Sequence, residues 1–299
     1  MLLNRILHFV GSPAAERQVT LRFLARRALA MVPFVPIRPR LSIAPGEEIR
    51  FWWSYIPMDF HSDRTLLEYW GDDRGTLRFL WQFLEPGMVF FDLGAFHGIF
   101  SVLAGKKLSS RGQVVAFEPS PRERRRFQLH LRINGLRGVQ LEPYAVSGRT
   151  DKLTFFTVAP ELGTMNSLKP PPVQVPVRES VVEAVSLDEY LLSRHIERMD
   201  LMKIDVEGGE LEAFRGARRL LESIRPIVIC EVLDGVTRSW GYPARDIVNH
   251  LSDYEYDWFD CRDDGSLSPH AHRQEYPEVR NYVAVPREKL PLIARWCPA

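Results

Sequence analysis

Residues 88–120 narrow the folds open to this chain more than any other stretch. Met88–Phe91 is an apolar run of the kind found in a strand buried on both faces, and it stops at Asp92-Leu93-Gly94-Ala95-Phe96-His97-Gly98. Ile99, Val102 and Leu103 then recur at helical spacing, so the free N–H groups and positive dipole end of that helix point back at the glycine turn. A second apolar run, Val114–Phe117, ends in Glu118, and Pro119 holds that acid extended. Strand, glycine turn, helix, strand and acid form a nucleotide seat, with Glu118 placed to accept the two hydroxyls of a ribose.

The details select the nucleotide. A dinucleotide fingerprint needs glycine at three spaced positions, but positions 94, 96 and 99 are Gly, Phe and Ile. Asp92, at the strand tip, would repel a pyrophosphate and attract an ammonium. That favours S-adenosylmethionine, which carries an adenosyl group, a sulfonium and a free amino acid. Gly94 and Gly98 are expected to let the ligand approach the main chain.

The 299 residues suffice for one sizeable core, and 45% hydrophobic with 26% charged residues describes a soluble globular protein. A formal net charge of +1 gives no reason to expect a nucleic-acid partner. Cys230, Cys261 and Cys297 are too few and too scattered for a disulfide framework or a zinc site, so a reducing, cytoplasmic setting is expected. The close pair His270 and His272 is not expected to bind metal.

Charge is nevertheless uneven along the chain. Residues 1–40 carry seven arginines against one acid, Glu16, a charge of about +6. Val19, Leu21, Leu24, Ala28 and Met31 give this segment an amphipathic helical pattern, expected either to pack on the main domain or to lie on an anionic membrane surface. No run in it is long enough to span a bilayer, and Arg5 and His8 interrupt the apolar region a signal peptide would need. Pro33, Pro36, Pro39 and Pro45 read as an extended linker, and Phe51-Trp52-Trp53-Ser54-Tyr55 as a strand capping the core. The expected division is an extension and linker over residues 1–60 and a single catalytic domain over 61–299, opening with a helix over Thr65–Leu84.

Further along, Ser120-Pro121-Arg122-Glu123 is a capping box opening a helix that runs to Asn134-Gly135, whose arginines are expected on a solvated face. Val139–Val146 reads as a third strand, forming a hairpin with Leu153–Val158. Gly163–Pro172, with Met165-Asn166-Ser167, is the kind of long loop that serves as a lid or substrate loop. A second capping box, Ser186–Glu189, opens a short helix.

Asp200–Glu210 is the other informative stretch, a strand followed by a helix with Leu211, Phe214, Ala217 and Leu221 on one face. Strand alternation puts Lys203, Asp205 and Glu207 on one side and Met202, Ile204 and Val206 on the other. Charges in a central strand are costly unless paired, so an oriented cluster is expected there. Pro226–Glu231 is a buried strand ending in an acid. Ala244–Leu251 is a helix, and Tyr256–Cys261 and Asn281–Val285 are a final antiparallel pair. The alternation of strands and helices predicts a doubly wound α/β sheet.

Taken together, Phe-Phe-Asp-Leu-Gly-Ala-Phe-His-Gly (90–98), Ala-Phe-Glu-Pro-Ser-Pro (116–121), Ala-Val-Ser (145–147), Val-Ser-Leu-Asp-Glu-Tyr (185–190), Lys-Ile-Asp-Val-Glu-Gly (203–208) with Glu210, and Phe-Arg-Gly-Ala (214–217) resemble the FkbM-type S-adenosylmethionine-dependent methyltransferases. The resemblance covers residues 70–261. It implies a class I methyltransferase fold, a Rossmann-like sheet of seven strands with the last one antiparallel. It also implies O-methylation of a hydroxyl on a glycan, lipid-linked sugar or secondary metabolite. Mapped onto this sequence, Asp92, Gly94, Ala95, Gly98, Glu118, Pro119, Ser120 and Ala145 would bind the cofactor. Asp205 is expected to act as base or acceptor-orienting group, with Glu207 beside it, Lys203 pairing an acid and Glu231 in support. A divalent metal held by Asp205, Glu207 and Glu231 is the rival expectation. Phe96-His97 between the two turn glycines departs from the family pattern and makes His97 a second candidate for substrate-side work. A scaffold protein with the same fold and structural acids is the alternative to an enzyme.

Overall fold

The computed structural model describes residues 73–158 and 160–298, with the backbone alone of a short antiparallel hairpin formed by β1 (Arg40–Ala44) and β2 (Glu47–Arg50). The expected linker is therefore strand-paired over these residues. The basic helix of the first 31 residues, the aromatic piece at 51–55 and the start of the Thr65–Leu84 helix lie outside the described residues. So does most of the 1–60 extension.

Helix α1 (Arg74–Phe83) buries Leu77, Phe79, Leu80 and Phe83, the stripe its spacing produces. Strand β3 (Val89–Leu93) follows, then α2 (Ile99–Leu108), β4 (Gln113–Phe117), α3 (Pro121–Ile133) and β5 (Val139–Glu142). As the first capping box predicts, α3 starts with Pro121, and Ser120 Oγ accepts the Glu123 N–H at 3.4 Å. The glutamate's side chain does not close that box, because the Ser120 N–H is taken by Glu118 Oε1 at 2.8 Å.

Beyond β5 the expected single strand divides in two. Val139–Glu142 belongs to the main sheet, and Ala145–Val146 (β6) turns away to pair in parallel with β8 (Arg178–Val185). The expected hairpin is corrected likewise, since β7 (Asp151–Thr157) pairs antiparallel with β8 across the intervening loop. The result is a small sheet, β6-β8-β7, standing above the end of β5. Helix α4 (Leu187–Ser193) has the second predicted cap, Ser186 Oγ accepting the Glu189 N–H.

The second half of the main sheet comes from β9 (Leu201–Ile204), β10 (Ile227–Glu231), β11 (Tyr256–Cys261), β12 (Leu267–Pro269) and β13 (Asn281–Pro286). Helix α5 (Glu210–Arg215) follows β9, the one-turn α6 (Asp234–Thr237) follows β10, and α7 (Arg245–Asp253) leads into β11. The strand order is β12-β11-β13-β10-β9-β3-β4-β5. Five strands run parallel, and β13, the last in the chain, runs antiparallel beside β10. This is the class I methyltransferase order with one more strand than the seven expected, the three-residue edge strand β12. Its pairing with β11 falls within the Arg262–Tyr276 segment, whose polar sequence carries no strand pattern.

Both faces of the sheet are covered. Phe90, Val114, Ala116, Leu201, Ile227 and Ile229 pack with α1 and α2, while Phe91, Val115, Phe117, Met202, Ile204 and Val228 pack with Tyr190, Phe214 and Ile247 on the other side. Burial on two sides is why these strands read as continuous apolar runs. The parallel strands β3, β4 and β9 all end on one edge, where the glycine turn, Glu118 and Asp205 meet.

Candidate active site

The turn after β3 is shaped by its hydrogen bonds. The N–H groups of Gly94 and Ala95 donate to the Phe117 carbonyl at 3.1 and 2.9 Å, which ties the turn to the end of β4. Gly94, Phe96 and Gly98 all have positive φ, at 77°, 51° and 83°. The strained Phe96 places its N–H 2.9 Å from Glu118 Oε2. Glu118 thus accepts one backbone N–H on each oxygen and keeps acceptor capacity on both. Burial pushes its pKa up to about 8, against the lowering effect of the Ser120 N–H.

Asp92 has a role its sequence position conceals. Its Oδ2 accepts the Ser101 N–H at 3.1 Å and the Ser101 hydroxyl at 2.6 Å, so the acid at the end of the strand caps the first turn of α2, whose N-cap Gly98 has no side chain to do so. Its carboxyl is 1% exposed, and Oδ1 has no hydrogen-bond partner among the described residues. Burial raises its pKa, partly offset by Lys203. Asp92 lies directly opposite Lys203 on the neighbouring strand β9.

Lys203 is 3% exposed, with Nζ 2.8 Å from Asp205 Oδ2 and 4.9 Å from the Phe100 ring centre. Burial alone would lower its pKa, but Asp205, Asp92 and Asp73 together hold it above the usual lysine value. The oriented cluster expected from the strand pattern therefore exists. It departs from the expectation at Glu207, because β9 ends at Ile204 and Glu207 sits in a loop with φ 56°. Glu210 Oε1 organises that loop by accepting the N–H groups of Val206 and Gly208. The acids outnumber the single lysine, so burial and mutual repulsion raise the pKa of Glu207 and Glu231 well above normal and that of Glu210 to about 7.

A cleft opens over these strand ends. Of the predicted cofactor residues, Gly94, Glu118, Pro119 and Ala145 line it, as do Asp205 and Glu207 of the predicted catalytic set. Asp92, Ala95, Gly98, Ser120, Lys203 and Glu231 stand behind that lining. The glycines owe their identity to the protein as much as to any ligand. A Cβ on Gly94 would meet the Asp205 carbonyl, and one on Gly98 would meet the Phe127 ring at 2.1 Å. Sequence reasoning gave no site role to Tyr144, Phe155 and Trp240, which form apolar walls, while Ser167, named in the expected lid or substrate loop, lines the cleft. Asn166, named in the same loop, lines it too.

His97 stacks on Phe96 with centroids 3.6 Å apart, and its Nε2 lies 2.7 Å from Glu123 Oε2. The Glu123 carboxyl also accepts from Arg122 at 2.5 Å. Burial would raise its pKa, but His97 and Arg122 outweigh that and lower it. Among the described residues no group of three or more His, Cys, Asp and Glu is arranged to hold a metal ion.

Sheet order, glycine turn, the acid after β4 and charged β9 define a methyltransferase of the class I fold. The Methyltransferase FkbM domain matches residues 92–258, more than half of the chain, and the protein belongs to that family. A curated relative, "Methyltransferase 1" of Beauveria bassiana (strain ARSEF 2860), is 29% identical over 142 residues, 42% of this chain and 56% of that protein. The match thus spans little more than half of the relative's length. Among solved structures, a precorrin-6y C5,15-methyltransferase from Geobacter metallireducens GS-15 shares 18% identity over 71% of this chain and 87% of its own, with a TM-score of 0.40. An O-methyltransferase from Bacillus cereus in complex with SAH shares 13% over 71% and 79%, with a TM-score of 0.42. Likenesses of this size carry no argument about chemistry.

The family implies S-adenosylmethionine, and the residues present fit it. Glu118 lines the cleft and keeps acceptor capacity for a diol, and Asp92 Oδ1 is a buried acceptor without a hydrogen-bond partner among the described residues.

Proposed function

We propose that the protein is an S-adenosylmethionine-dependent O-methyltransferase acting on a hydroxyl of a glycan, lipid-linked sugar or secondary metabolite. The observation that carries this reading is that Asp205, ion-paired with Lys203 at 2.8 Å, shares one cleft with Glu118 at the carboxyl ends of the two parallel strands that flank β3. Bound there, the cofactor supplies an electrophilic methyl on a sulfonium. Glu118 holds the ribose, while Gly94, Pro119 and Ala145 bound the cofactor's side of the cleft. A hydroxyl is a poor nucleophile, so the chain must align its oxygen and take its proton. Asp205 accepts the hydrogen bond of the acceptor hydroxyl, as orienting group or base, and Lys203 fixes the position of that carboxylate through their ion pair. Phe96, Tyr144, Phe155 and Trp240 shelter the reacting groups from water.

A neutral polyhydroxylated acceptor suits a cleft whose walls are aromatic and whose charges are carboxylates. An anionic acceptor such as nucleic acid does not. No helix among the described residues is long and apolar enough to cross a membrane. The reading places the enzyme in the cytoplasm, with residues 1–40 as its contact to any anionic membrane surface. Incubating the protein with methyl-labelled S-adenosylmethionine and a cell extract tests it. Label should appear in hydroxyl ethers of carbohydrate or small-molecule fractions, and cofactor binding without transfer to any fraction would favour the scaffold alternative.

A further inference from the structure

Glu207, like Phe96, is a non-glycine residue of the cleft held at positive φ. Its φ of 56° is left-handed, a conformation that costs a non-glycine residue energy and persists where the surroundings enforce it. Two donors from separate elements enforce it here. Ser167 Oγ, from the lid loop, donates to the Glu207 carbonyl at 2.9 Å, and Trp240 Nε1, from the segment after α6, donates to the same oxygen at 3.0 Å. The Trp240 ring also packs against the following glycines, since a Cβ on Gly208 would come within 2.7 Å of it and one on Gly209 within 2.9 Å. Tyr242 donates to the Gly208 carbonyl. Ser167 is itself fixed by a pair of backbone bonds to Phe156, at 2.8 and 3.1 Å. The effort is spent on a residue that lines the cleft and whose carboxyl has no ion pair or hydrogen bond among the described residues, whereas Asp205 is engaged by Lys203.

We propose that Ser167 and Trp240 are positioning residues that clamp the Glu207 carbonyl and thereby aim the Glu207 carboxylate at the acceptor hydroxyl, whose proton it receives. This rests on the O-methyltransferase reading and divides its labour. Asp205 orients the hydroxyl and Glu207 takes the proton. As the acceptor oxygen gives an electron pair to the methyl carbon, the carbon–sulfur bonding pair leaves on sulfur, the O–H proton passes to Glu207, and the resulting carboxylic acid returns it to water. Because Ser167 belongs to the lid, Glu207 is aimed only while the lid is seated.

The groups facing Glu207 are Lys203 and Asp205 from β9 and its end, Glu210 from α5 and Glu231 from β10, and in their midst its pKa is raised. Carbon-13 NMR titration of protein labelled at the glutamate side-chain carboxyls reads that position without acceptor or cofactor, and the resonance missing from Glu207→Gln assigns it. In the wild type the Glu207 midpoint should lie well above the ordinary carboxylate range. In Ser167→Ala and Trp240→Phe it should fall toward that range, as the released carboxyl swings into solvent, while S-adenosylmethionine affinity by calorimetry stays within a few fold. Label transfer should drop about tenfold or more in both variants, within the span of a misplaced proton acceptor. Midpoints unchanged in both variants would overturn the proposal, whatever happens to transfer. Unchanged transfer beside shifted midpoints would overturn Glu207 as the proton acceptor. A protein that shows the expected titrations but transfers no methyl to hydroxyls would refute the O-methyltransferase reading and leave the clamp standing. Trp240→Phe keeps the ring against Gly208 and Gly209, which guards the test against a Ser167 variant that does not fold.

Discussion

Gly94 and Asp205 touch through their backbones: a Cβ built on Gly94 would lie 1.9 Å from the Asp205 carbonyl oxygen. The cofactor turn and the charged loop after β9 are therefore one packed unit. The Asp205 N–H donates to the Leu93 carbonyl at 3.0 Å, so β9 and β3 keep pairing to the very residue where both turns begin. Whatever displaces one turn displaces the other.

Replacing Gly94 by alanine should therefore damage the fold before any ligand is added. The methyl meets backbone, which cannot rotate away, and φ of 77° is unfavourable for alanine. Overpacking of this kind costs about 1 to 3 kcal/mol and the positive φ about 1 kcal/mol more. Urea unfolding of the cofactor-free protein measures the loss. If the alanine variant is as stable as wild type but binds cofactor poorly, the glycine serves the ligand and not the packing.

Lys203 should be a stability residue first. It is the cation between Asp92 and Asp205, and removing one member of a buried pair strands the charge that remains. Lys203→Met is expected to lose about 3 to 5 kcal/mol. Adding Asp92→Asn should recover part of it, because one stranded carboxylate is then gone. A single variant within about 0.5 kcal/mol of wild type, the range of an ordinary surface substitution, would show the pair to be energetically idle.

The order of strands and helices in the main sheet was legible because each element obeys a local rule. Two-sided burial makes β3, β4 and β10 continuous apolar runs, and the serine caps at 120 and 186 mark their helices. The branch at residues 143–144 was not legible, since β6 and β8 pair across nearly forty residues and their alternation looks like that of any strand. Glu118 and a charged cluster around Lys203 could be placed from spacing, though not which acid Lys203 would pair with. Asp92 was readable as an acid at a turn, but its cap on Ser101 was hidden, because the need for it arises from the missing side chain of Gly98, a residue away in space. Nothing local distinguishes Ser167 or Trp240 from loop residues, and only the fold brings both to the Glu207 carbonyl.

Glu118 predicts a pH dependence whose direction is fixed by its raised pKa. Its ordinary value of 4.5 moves to about 8 in the folded protein, chiefly by burial. Between those values the unfolded chain releases this proton while the native protein keeps it, so folding stability is fully present below 4.5 and is lost as pH rises toward 8. Glu210, raised to about 7, acts in the same sense. The melting temperature of the cofactor-free protein should fall between pH 5 and pH 8, and Glu118→Gln should flatten that slope. A melting temperature that climbs over this range would show Glu118 to be ionised at rest. For the ligand, measured above pH 8 where Glu118 is ionised, Glu118→Ala is expected to weaken S-adenosylmethionine binding by about 2 to 3 kcal/mol, the scale of hydrogen bonds to a charged group. An unchanged dissociation constant would remove Glu118 from the ribose.

Asp205→Asn separates alignment from binding. The amide keeps the size of the carboxylate and can still accept from Lys203 Nζ, so the cleft should stay intact and cofactor affinity should hold within a few fold. What it loses is the negative charge that draws the acceptor hydroxyl into line. Turnover should therefore fall by about 10² to 10⁴, the range for removing a group that assists proton transfer. Chelation gives the independent control. If wild-type activity vanishes with a chelator and returns with magnesium, Asp205 acts as a metal ligand in the working enzyme. If activity survives chelation and Asp205→Asn still turns over at the wild-type rate, the residue serves only to neutralise Lys203, and the acceptor hydroxyl must be aligned by another group on the cleft wall.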